Sequence, residues 1–145
     1  MSHPFRTLAD YELFLYTLAQ RHPSIRHSSL VLVRRGTSLA RVEGEIAIEG
    51  GCRIVVRERI VADRLPLVID GYGYEIWRGD EKLCWYDSQP HPDELALQPT
   101  HPHHKHVPPN MRQNRIPAPR MSFAQPNLPV LIAEVEALPG TGSPL

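Results

Sequence analysis

The chain has 145 residues, 41% of them hydrophobic and 22% charged, and its 16 basic and 16 acidic side chains cancel to a formal net charge of zero. This suits one domain, expected over 1–145, that buries roughly two-thirds of the surface its unfolded form exposes. The charge balance excludes an all-over basic coat for nucleic acid, leaving only a local patch. The lack of any signal-peptide core or apolar run of about 20 residues argues for a cytoplasmic protein with no membrane partner.

Thr7 followed by Asp10 is an acidic variant of the capping box. Leu8, Tyr11, Leu15 and Leu18 then recur at helical spacing until His22-Pro23, predicting one helix over Leu8–Arg21. From Ile25 the period changes to two. Val42, Gly44, Ile46 and Ile48 share one face of a strand, with Arg41, Glu43, Glu45 and Glu49 on the other. Gly50-Gly51 supplies a hairpin turn. The returning strand places Cys52, Ile54, Val56, Glu58 and Ile60 on the apolar face, with Arg53, Arg57 and Arg59 outward to complement the glutamates. Further strands are expected over Val68–Trp77 and Lys82–Tyr86. The two cysteines, Cys52 and Cys84, lack metal-ligand spacing and read as buried thiols.

After Asp87 the composition shifts, and ten of the 15 prolines fall between Pro90 and Pro129. This arm is expected to be loop, extended edge or disorder, with one short strand over His103–Val107. A closing helix over Leu128–Leu138, capped by Asn127 and stopped by Gly140, precedes a loose tail. The fold class predicted is α+β: an antiparallel β-meander of five to six strands packed with an N-terminal and a C-terminal helix. Its parts are a core over 8–107, a proline-rich arm over 108–127 and the helix over 128–139.

Five of the eight histidines, His91, His101, His103, His104 and His106, lie within 16 residues. In an extended segment His101, His103 and Lys105 project to one side, His104 and His106 to the other. Three readings compete: general acid–base catalysis by imidazoles without a cofactor, with Lys105 as a stabilising cation; a divalent transition-metal site, with His101, His103 and Asp87 as ligands of a hydrolase or nuclease; or structural histidines in a proline-rich loop. Glu58, with its parity toward the apolar face, is either a site acid or base or half of a buried pair. Tyr72, Tyr74, Trp77, Trp85 and Tyr86 are either core or a base-stacking platform.

Several of these pieces carry a resemblance. Tyr72-Gly73-Tyr74-Glu75, Trp85-Tyr86-Asp87, Pro90-His91, Pro102-His103-His104-Lys105-His106-Val107 and the apolar strand Ile54–Ile60 with its embedded Glu58 are together similar to the TumE family of bacterial toxin–antitoxin toxins. The similarity runs over about 8 to 107 and the closing helix. The chain departs from the family pattern around Cys84-Trp85-Tyr86-Asp87-Ser88-Gln89, at Pro92, and in a longer arm after Met111. The resemblance implies a growth-inhibiting toxin neutralised by a cognate protein antitoxin, with RNA as the expected substrate. In a metal-independent ribonuclease mechanism, His104 and His106 (with His103 beside them) would act as acid and base. Lys105 or Arg57 would be the cation, and Asp87 or Glu58 would orient an imidazole. Arg57, Tyr72, Tyr74 and Tyr86 would contact the substrate. A non-enzymatic module gripping RNA or protein is the other reading, and a homo-oligomer stays open.

Overall fold

The computed structural model describes residues 3–140, so the tail expected to be loose lies outside the described residues. Helix α1 (Leu8–Tyr16) starts where Thr7 Oγ1 accepts the Asp10 amide at 3.1 Å. The single helix expected from the apolar stripe breaks at Thr17 and resumes as α2 (Leu18–Arg21). The Thr17 hydroxyl donates back to the Leu13 carbonyl at 2.7 Å, the type of local bond that bends helices. Across the break the stripe still buries Leu8, Tyr11, Leu15 and Leu18.

Eight strands form one antiparallel sheet, two more than the upper expectation: β1 (Ile25–Ser28), β2 (Val31–Arg35), β3 (Leu39–Ile48), β4 (Cys52–Val61), β5 (Val68–Arg78), β6 (Glu81–Asp87), β7 (His104–His106) and β8 (Arg115–Pro117). One additional strand comes from the first edge, where β1 and β2 both pair with β3 around Ser29-Leu30. Gly44 sits opposite this break with φ +141°, and a Cβ there would lie 2.6 Å from the Ser29 carbonyl oxygen. Only glycine permits both that backbone and that approach. The other is β8, in the proline-rich arm. That arm is tied down, with β8 paired to β7 and the Phe123 carbonyl accepting the Ile69 amide at 2.8 Å.

From β2 onward each strand lies beside its predecessor, a meander. Register carries one row of residues across the sheet, Gly44–Val56–Tyr74–Tyr86–Lys105–Ile116, and a neighbouring row, Glu43–Arg57–Gly73–Asp87–His104–Pro117. Adjacent rows face opposite ways. The first faces the helices, and the core lies there. Val42, Ile46, Ile54, Val56, Tyr74 and Ile76 meet the stripe of α1 and Leu128, Leu131, Ile132 and Val135 of α3 (Leu128–Glu136). Asn127 does not make the expected cap bond. Its side chain is buried, accepting the Ser122 amide at 2.8 Å and donating to the Tyr74 hydroxyl at 3.1 Å. Both cysteines are buried and free, and burial pushes the Cys84 thiol up to about 12. Among the described residues no helix is long and apolar enough to cross a membrane.

Candidate functional site

The second row and its companion Glu45–Val55–Glu75–Trp85–His106–Arg115 form the outer face, away from the helices. Pairing of β6 with β7 sets Asp87 opposite His104 and Trp85 opposite His106. His104 Nε2 lies 2.8 Å from Asp87 Oδ1, His106 Nε2 lies 3.1 Å from Asp87 Oδ2, and the two Nε2 atoms are 3.1 Å apart. Each imidazole is held from behind by a backbone carbonyl. His104 Nδ1 meets the Pro102 oxygen at 3.0 Å and His106 Nδ1 meets that of Met111 at 2.6 Å. A carbonyl only accepts, so both Nδ1 atoms carry hydrogen and both Nε2 atoms turn to the carboxylate.

The remaining contacts fix the cluster. Trp85 Nε1 donates to Asp87 Oδ2 at 3.1 Å and the Gln89 amide to Oδ1 at 3.0 Å. The Trp85 ring stacks on His106 with centroids 3.9 Å apart, and the His91 ring stands edge-on to His104 at 4.9 Å. Burial opposes charge on Asp87, but the bonds from His104, Trp85 and Gln89 overcome it and hold the carboxyl well below its ordinary value. Burial likewise opposes the His104 cation, yet Asp87 and the Pro102 carbonyl raise that imidazole above its usual value. For His106 burial wins over the Met111 carbonyl and Asp87, and the value falls. The two rings therefore differ in protonation preference, with His104 the more basic.

Asp87 lies where two grooves meet. One is lined by Arg41, Arg57, Arg59, Asp87, Ser88 and Pro102; the other by Lys82, Trp85, His91, His106, Arg112 and Arg115. Glycines open the first. Cβ atoms at Gly71 and Gly73 would fall 2.6 and 3.2 Å from the guanidinium nitrogens of Arg59 and Arg57, which lie across these bare backbone positions. Most cations here are matched, as in Arg41–Glu43, Arg59–Asp70, Lys82–Glu75 and Arg115–Glu94. Among the described residues, Arg57 and Arg112 line these grooves without an ion pair.

The sheet separates the other candidates from this cluster. Glu58 is fully buried on the helix face, accepting the Tyr11 hydroxyl at 2.5 Å and that of Tyr74. Lys105, between the two histidines, points the opposite way, and its Nζ reaches Glu134 of α3 at 2.9 Å. Tyr86 donates to the same Glu134. Tyr72, Tyr74 and Tyr86 are thus all buried in the core, Tyr72 stacked on Tyr74 with its hydroxyl 2.6 Å from His103 Nδ1 where it borders the first groove. The ligand set His101, His103 and Asp87 is not assembled, because His103 is stacked on Tyr72 and tilted against Phe123 and His101 lies exposed. The described residues instead gather three donors in Asp87, His104 and His106, all within 4.8 Å of one another. Arg115 and the carbonyls of Pro102 and Met111 were not singled out from sequence. Arg115 carries no local signal, since only the β7–β8 register brings it beside His106.

A family model described as toxin TumE matches residues 15–139. The chain belongs to the TumE toxin family. The match takes in the whole sheet, the arm and α3, so the role of toxin attaches to this fold. No curated protein and no solved structure matches.

Proposed function

We propose that this TumE-family chain is an endoribonuclease toxin of a toxin–antitoxin pair, with Asp87, His104 and His106 as its acid–base centre and a protein antitoxin as its partner. One observation carries the reading: two Nε2 atoms converge on one carboxylate, 2.8 to 3.1 Å apart, at the junction of two arginine-bearing grooves. Three acceptors at such distances repel unless a proton lies among them. One shared proton makes the site a donor through one ring and an acceptor through the other, which suits transfer in both directions.

The chemistry follows from those parts. His106 lines the second groove and faces substrate, while His104 sits behind it and Asp87 balances the charge. The pair takes the proton of a ribose 2′-hydroxyl as its oxygen attacks the adjacent phosphorus. The bond from phosphorus to the 5′-oxygen breaks, and the pair returns a proton to that leaving oxygen. The products are a 2′,3′-cyclic phosphate and a 5′-hydroxyl. Arg57 and Arg112, without ion pairs of their own, would bind the flanking phosphates.

Purified chain incubated with RNA should leave cyclic-phosphate ends, and its induced expression should arrest bacterial growth. His106→Ala, His104→Ala and Asp87→Asn should each slow cleavage by about a hundredfold or more, the scale of acid–base catalysis. Full cleavage and growth arrest by folded His106→Ala protein would refute the assignment.

A further inference from the structure

We infer that Asp87, His104 and His106 also form a site for one divalent first-row transition-metal ion, and that the ion silences the centre by occupying the nitrogens that move the proton. The first half stands on geometry alone; the second rests on the acid–base reading above.

Metal bonds of about 2.0–2.2 Å to nitrogen and oxygen place neighbouring ligand atoms about 2.8–3.1 Å apart around an octahedral ion and about 3.3–3.6 Å apart around a tetrahedral one. The two Nε2 atoms are 3.1 Å apart, His104 Nε2 lies 2.8 Å from Asp87 Oδ1 and His106 Nε2 lies 3.1 Å from Oδ2, so the carboxylate offers one oxygen to each ring. One donor atom from each of the three groups lies within 4.8 Å of the others, so small side-chain shifts bring all three onto one ion. The outer contacts match as well. A metal-bound histidine characteristically donates its far ring hydrogen to a carbonyl or carboxylate, which fixes the tautomer and aims the lone pair. Both rings do so, to the Pro102 and Met111 carbonyls, and Asp87 is itself held by Trp85 and Gln89. Two imidazoles and one carboxylate select zinc-class ions over magnesium or calcium, which prefer all-oxygen cages. The groove lined by Asp87, His91 and His106 gives the remaining coordination positions access to solvent.

An ion and a proton compete for the same lone pairs. With metal on both Nε2 atoms the pair neither accepts nor returns a proton, so zinc is an inhibitor of this centre.

Isothermal titration of Zn²⁺ into metal-free, untagged, full-length protein should show one ion per chain. His104→Gln, His106→Gln and Asp87→Asn should each weaken it by about tenfold or more, and His101→Gln should leave it unchanged. Failure of the wild type to bind Zn²⁺, or equal binding by His106→Gln, overturns the site. The Co²⁺ absorption spectrum of wild type and His106→Gln gives an independent readout of nitrogen ligation. In the cleavage assay, metal-free protein should be active and one equivalent of Zn²⁺ should suppress it. Cleavage that requires Zn²⁺ overturns the inhibitory half while leaving the site. Absence of cleavage in either state removes the acid–base reading and the inhibition with it, and the titration alone then decides the site.

Discussion

At the scale of single residues, the molecule puts two carboxylates to opposite uses. Asp87 stays charged beside two imidazoles on the outer face. Glu58 is fully buried, and desolvation raises its value even though the Tyr11 and Tyr74 hydroxyls favour the charged form. A carboxyl whose folded value lies above its unfolded one stabilises the fold fully below the unfolded value, here near 4.5. That contribution is lost as pH rises through the folded value. Urea unfolding of wild type and Glu58→Gln should therefore diverge with pH, the variant gaining relative to wild type from pH 4 to pH 8. Glu58→Ala instead leaves two buried hydroxyls without an acceptor, at a cost of about 1–3 kcal/mol each.

At the scale of elements, β7 is three residues long and has a different task on each face. His104 and His106 serve the outer cluster, whereas Lys105 binds the strand to α3 through Glu134. Alternation along a strand was legible from sequence, and it separated Lys105 from His104 and His106 correctly. What the side chains meet on each face was not, because that depends on which elements pack there. Two substitutions separate the roles. Lys105→Met should cost about 1.5–3 kcal/mol in urea unfolding, the worth of a bond between charged groups, and lower cleavage only as far as it lowers the folded fraction. Arg57→Gln, at an exposed position over Gly73, should leave stability within about 0.5 kcal/mol. In the same RNA assay it should lower cleavage by about tenfold or more, the loss of a charge-assisted phosphate contact.

At the scale of the whole molecule, a sheet with long central strands ends in two strands of three residues each, β7 and β8, carried by the proline-rich arm. The site straddles that boundary. Asp87 closes β6, the last long strand, and its bonds to His104 and His106 clip the arm onto the sheet. Hydrogen exchange followed by mass spectrometry should show β4 and β5 opening only with global unfolding and β7 and β8 opening earlier. Asp87→Asn should speed exchange in β7 and β8 by about tenfold or more while leaving β4 and β5 unchanged.

The sequence by itself determined the local part of this description. The change of period from helical to two at Ile25, the Thr7 cap, the Gly50-Gly51 turn and the inward parity of Glu58 are set by neighbours within a few residues, and each is present in the structure. The family, too, was legible from the spacing of Tyr72-Gly73-Tyr74, Asp87 and His103–Val107. Tertiary structure decided which chemistry-bearing groups meet. Asp87 and His104 are joined by a stretch rich in prolines, and no local rule states that β7 returns beside β6 in a register that opposes them. A shift of one residue would have turned Lys105 outward and both histidines into the core, because side chains alternate with period two. Long-range backbone pairing, together with the seat that Glu134 provides for Lys105, selects the register that assembles the site.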